Sequence, residues 1–139
     1  MATESSTLCF MGTLLFLLGL LTGFGIPAFR SPRIGLSAHL AAIESGLALI
    51  AVGLLMPHLV VTAGWADTIG IVLWISLYVL WAGLLFAALY GTGRTLPIAG
   101  GDTAAKPWQE KTARILISAG SLGSAAAVVA LLSRWHWIA

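Results

Sequence analysis

Residues 8–26 read Leu8-Cys9-Phe10-Met11-Gly12-Thr13-Leu14-Leu15-Phe16-Leu17-Leu18-Gly19-Leu20-Leu21-Thr22-Gly23-Phe24-Gly25-Ile26, an apolar run with no charged residue. A helix of this length rises about 1.5 Å per residue and reaches across the roughly 30 Å hydrocarbon layer of a bilayer. The run is too long for the core of a secretory signal, and Glu4 precedes it without any Lys or Arg. It is read as a transmembrane helix.

The rest of the 139 residues repeats the pattern. Hydrophobic residues make up 59% and charged residues 9%, and the mean hydropathy is +0.99. A soluble domain carries about 25% charged residues, so the solvent for most of this chain is lipid. Spans are expected at about 8–26, 34–56, 67–90 and 109–133. Pro27 and the segment Arg30-Ser31-Pro32-Arg33 end the first. Ser31 can cap the second, and Pro32 suits its first position. Pro57-His58 closes the second. Asp67 is placed to cap the third, which Gly91-Thr92-Gly93-Arg94 stops. The fold class is therefore all-α integral membrane: a single-domain bundle of four transmembrane helices, oligomeric.

Seven basic residues are too scattered to make a stripe for nucleic acid. They sort by topology instead. Arg30, Arg33, Arg94, Lys106, Lys111 and Arg114 fall on one side and Arg134 on the other, so loops one and three are expected in the cytoplasm. The setting is a multi-pass protein of a bacterial inner membrane. Trp65, Trp108, Trp135 and Trp137 sit at span ends, as an interfacial belt would. Gly19 with Gly23, the series Gly83, Ala87 and Gly91, and Gly120 with Ser124 repeat small residues at packing spacing. The lone Cys9 is a small apolar residue of the first helix.

Chemistry must come from few residues. Glu44 lies near the middle of the second span, where an ionised acid costs roughly 2.5–3.5 kcal/mol on insertion scales. It is a candidate catalytic acid, or else a protonated group bonded to a neighbouring helix. His39 lies deeper in a span than His58 or His136, and is read as a metal ligand or a hydrogen-bonding core residue. A chain offering one buried histidine would leave one axial position of a haem open, which favours chemistry over electron transfer. Trp74, Tyr78 and Trp81 share one face of the third helix and could wall an aromatic pocket, stack on a macrocycle or face lipid. Ser45 and Ser76 can hydrogen-bond. No nucleotide, nicotinamide, HExxH or GxSxG motif occurs, so an isomerisation, binding or transport fits better than an NADH-dependent reaction.

The run Pro27-Ala28-Phe29-Arg30-Ser31-Pro32-Arg33-Ile34-Gly35-Leu36-Ser37-Ala38-His39-Leu40, then Ser45-Gly46, then Gly53-Leu54-Leu55-Met56-Pro57, resembles the hydroxylaminobenzene mutases. So does Tyr90-Gly91-Thr92-Gly93-Arg94 leading into Leu96-Pro97-Ile98-Ala99-Gly100. Those enzymes are similar to the styrene oxide isomerases. The resemblance covers about residues 10–132 and implies an isomerase that moves a hydroxyl from nitrogen to a ring carbon, turning an aryl hydroxylamine into an aminophenol. It implies a homotrimer binding haem b through a histidine, matched by His39, with ferric iron as Lewis acid. Gly46 also matches, as a cofactor-side residue. The sequence departs where Ala41 and Ala42 replace Glu-Gly after His-Leu, where Ser45 stands for Asn, and on the third helix, where the family's tyrosine and aspartate have no counterpart. The resulting site expectation is Glu44, Ser45 and Tyr78 for catalysis, with His39, Gly46, Trp74 and Trp81 at the cofactor. A proton-coupled exporter using Glu44, or a haem-binding subunit without chemistry, are the rival readings.

Overall fold

The computed structural model describes residues 2–58 and 63–133. Five α-helices follow in order: α1 (Ala2–Gly25), α2 (Pro32–Leu55), α3 (Ala63–Tyr90), the single turn α4 (Pro97–Gly100) and α5 (Pro107–Ser133). Short 3-10 turns at Ile26–Ala28 and Met56–His58 finish α1 and α2. Four of the helices are long and apolar enough to cross a membrane, and no strand occurs among the described residues. The protein is an all-α, multi-pass membrane protein.

The bundle is two helical hairpins side by side. α1 packs chiefly on α2, α3 chiefly on α5, and the α2–α3 contact joins the pairs. Lipid offers no hydrophobic drive between helices, so close approach of small residues must supply the contact. In the first hairpin a Cβ on Gly12 would lie 2.6 Å from the Gly46 carbonyl oxygen, and one on Gly46 would lie 2.7 Å from that of Gly12. The two backbones touch there and leave no space for a side chain. In the second hairpin Gly120 lies against the Leu80 backbone and Gly83 against Leu116 and Ile117. The core between them holds Leu8, Leu15, Leu49, Ile69, Leu73 and Leu77.

The helix starts differ from the sequence reading. Ser31 occupies the N-cap of α2 but makes no side-chain cap bond. Its N–H is instead donated to the Ala88 carbonyl of α3, at 3.1 Å, and Pro32 takes the first helical position. Asp67 does not cap α3, because the helix begins at Ala63 and Asp67 falls inside it. α5 begins at Pro107, where the Gln109 side chain accepts the Lys106 N–H at 2.9 Å, half of a capping box. α3 ends as expected on Gly91, whose φ of +68° suits glycine; Gly91 and Thr92 both donate to the Ala87 carbonyl. Gly91 therefore terminates the helix, and what packs closely against it is the Arg30 side chain.

Arg30 lies against Gly91 and donates to the Ala104 carbonyl, so the first and third loops meet at one end of the bundle. Trp65 and Trp108 are exposed near opposite ends. Trp135, Trp137, His136 and Arg134 lie outside the described residues.

Candidate functional site

His39 projects from α2 toward α1 and is partly buried. Its Nδ1 lies 2.7 Å from the Gly19 carbonyl oxygen. A carbonyl can only accept, so Nδ1 carries the hydrogen, and in the neutral ring the lone pair sits on Nε2. Gly23, one turn along α1, makes the room: a Cβ there would lie 2.8 Å from Nδ1 and 2.9 Å from Cε1. The pair Gly19 and Gly23, legible as packing glycines, is thus also the cradle of the imidazole. The signal for this was present in the sequence, since a spacing of four puts both on one helix face, but not its target.

A histidine that ligates a metal normally donates its other ring N–H to a carbonyl or carboxylate, and the bond to Gly19 leaves Nε2 open to such a role. Among the described residues no three His, Cys, Asp or Glu side chains cluster to hold a bare metal ion. A metal at His39 would have to bring most of its donors with it, as the iron of a haem does.

Gly46 lies two turns beyond His39 on the same face of α2, buried against Gly12 and Phe16. Ser45 is buried. Glu44 is exposed on the outer side of α2. Five residues from His39, it points about 140° away around the helix axis. One chain therefore does not bring His39 and Glu44 together.

The aromatic stripe of α3 faces protein. The Tyr78 hydroxyl donates to the Met11 carbonyl at 2.8 Å, and Trp81 Nε1 donates to the Thr22 hydroxyl at 3.2 Å. Trp74 meets Tyr78 edge-on, with centroids 5.9 Å apart. Met11 and Thr22 lie about a quarter turn around α1 from Gly19 and Gly23, so the stripe and His39 use different faces of α1. Trp74 borders a cavity of about 240 Å³ that Thr7, Leu8, Asp67, Gly70 and Ile71 complete, room for one small arene.

The profile of the styrene oxide isomerase family matches residues 4–135. The chain belongs to that family. Hydroxylaminobenzene mutase HabA of Ectopseudomonas oleovorans is 38% identical over 107 residues, spanning 76% of this chain and 79% of that protein. Hydroxylaminobenzene mutase HabB of the same organism is 39% identical over 128 residues, 90% of this chain and 76% of that protein. No solved structure matches at a comparable level. The protein is a membrane isomerase, which sets aside the exporter and the non-catalytic subunit.

Proposed function

We propose that the protein converts an aryl hydroxylamine into an aminophenol by intramolecular transfer of the hydroxyl group from nitrogen to a ring carbon. The observation that supports this most is the pair of relatives named hydroxylaminobenzene mutase, each aligned over three quarters or more of the chain. The reaction is balanced without a co-substrate. The N–O bond breaks, a C–O bond forms, the ring loses a proton and nitrogen gains one.

His39 is the residue that would hold haem b, with Nδ1 fixed on the Gly19 carbonyl and Nε2 directed away from it. Bound there, ferric haem would supply a Lewis acid. Glu44 has a different part. An acid on the outer face of a spanning helix is costly against lipid, which argues that another protein surface covers it. We take that surface to be a second copy in a homo-oligomer, a trimer by family resemblance. In a ring each contact is heterologous: one edge of a chain meets the other edge of the next. His39 lies at the α1 side of α2 and Glu44 on its outer side, so in such a ring Glu44 of one chain would approach the α1–α2 seam of its neighbour, where His39 sits. As an acid the Glu44 carboxyl would give a proton to the hydroxyl oxygen as the N–O bond breaks and take one back as that same oxygen bonds to the ring carbon, so that no solvent water enters.

Purified protein in nanodiscs, given phenylhydroxylamine without oxygen or reductant, should yield aminophenol that carries no label from ¹⁸O-water. Turnover of styrene oxide with phenylhydroxylamine left intact would overturn the substrate. Glu44→Gln should lower kcat by about 10² or more, the usual range for loss of a general acid, while the haem spectrum stays unchanged. Normal kcat in that variant would remove Glu44 from the reaction.

A further inference from the structure

We propose that the basic end of the bundle holds the phosphate headgroup of an anionic phospholipid in a groove between the α3–α5 loop and the start of α5. A cavity of about 550 Å³ there is lined by Arg94, Pro107, Glu110, Lys111, Arg114 and Ile115. Three of these six are cations, and all three side chains are exposed. The one acid, Glu110, offsets one of the three charges and leaves the lining with two in excess. The Glu110 carboxylate is buried and accepts from Arg94 N–H, Thr95 N–H, the Thr95 hydroxyl and Ala105 N–H. Those are backbone and hydroxyl donors, and the guanidinium and ammonium groups beside it keep their charge for something else.

The depth of the groove identifies that partner as a lipid. Phe86, Tyr90 and Trp108 cluster at the same end, with centroids 4.5–6.2 Å apart, and Trp108 is exposed. Such a cluster marks the level where headgroups meet hydrocarbon. Below the cations the exposed face of α5 turns apolar at Ile115 and continues to Leu122, two turns on. A headgroup phosphate over Arg94, Lys111 and Arg114 would lay an acyl chain along Ile115 and Leu122. A soluble anion would use the charges and leave the apolar track unexplained. Basic pockets at the ends of spanning helices commonly take anionic headgroups in this way.

The test is native mass spectrometry of the oligomer extracted from nanodiscs of equal phosphatidylglycerol and phosphatidylcholine. Phosphatidylglycerol should be retained over phosphatidylcholine. Lys111→Gln and Arg114→Gln should each weaken retention about fivefold, the effect of one basic residue at an anionic surface, and the two together with Arg94→Gln should abolish the preference. Arg33→Gln removes a cation from the same end but outside the groove, and should leave the preference intact. Equal losses in Arg33→Gln and in the groove variants would mean diffuse attraction and no site. Displacement of phosphatidylglycerol by millimolar inorganic phosphate would assign the groove to a free anion. Either result overturns the proposal. All four residues are exposed, so the variants should fold, which their melting temperatures would verify.

Discussion

Replacing His39 by alanine is expected to abolish the Soret absorption of the purified protein and to reduce aryl hydroxylamine turnover to background. The argument runs from the ring outward. His39 Nδ1 is fixed by the Gly19 carbonyl at 2.7 Å, and Nε2 is the ring nitrogen that the proposed haem would use. With no cluster of other ligating side chains among the described residues, no substitute ligand stands ready. Gly23→Ala supplies the graded version. Its methyl would fall 2.8 Å from Nδ1, so the ring must turn and its bond to Gly19 lengthen. Disturbing the group that orients a ligand usually costs about 10- to 100-fold in metal affinity, so Gly23→Ala should fold, bind haem weakly and shift the Soret maximum. A Soret band unchanged in His39→Ala would take the ligand away from this residue. An unchanged band in Gly23→Ala would mean that the Gly19 carbonyl does not orient it.

The four spans were legible because period and solvent agree: a run such as Leu8–Ile26 has no polar alternative to a membrane helix. Gly91 was legible as a stop because few other residues adopt its backbone conformation. The caps were not. Ser31 has the chemistry of an N-cap, but the end of α3 offers its N–H a partner that no local pattern reveals. Asp67 likewise looked like a cap only because the apolar run of α3 is clearest after it. Within the site, His39 and Glu44 stood out as the ionisable groups deep in a span, and both are where the register of α2 puts them. Their separation of five residues already implied different faces. What the sequence did not hold is that Trp74, Tyr78 and Trp81 turn toward α1. That depends on which neighbour α3 packs against, and a uniformly apolar helix carries no stripe to say so. Nothing in the sequence marks Glu110 as an acceptor, because its donors come from Arg94, Thr95 and Ala105, positions that a loop brings to it.

Glu110→Ala is expected to loosen the whole segment from Gly91 to Lys106. Four donors converge on one buried carboxylate: Thr95 O–H at 2.6 Å, Thr95 N–H at 2.8 Å, Ala105 N–H at 3.3 Å and Arg94 N–H at 3.4 Å. Each donor left buried without an acceptor costs about 1–3 kcal/mol. The contributions are not additive, since water can enter a loop that opens, and a net loss of about 1–3 kcal/mol is expected. The helices themselves should persist, because the Gly12–Gly46 and Gly120–Leu80 contacts that hold the hairpins lie elsewhere. The change should therefore be local: fast amide exchange at Thr95 and Ala105 and new protease cleavage between residues 91 and 106, with little loss of helical circular dichroism. Glu110→Gln separates geometry from charge. It keeps one oxygen as acceptor but puts an NH2 group against N–H donors, so it should fall between wild type and alanine. If Glu110→Ala leaves the loop as protected as in wild type, the carboxylate is not what holds it. If instead the helices unfold together with the loop, the segment is part of the bundle's cooperative core. Because Glu110 also lines the basic groove, loss of phosphatidylglycerol in the alanine variant would be expected as a consequence. The surface variants Lys111→Gln and Arg114→Gln, which leave the loop bonds intact, keep the two effects apart.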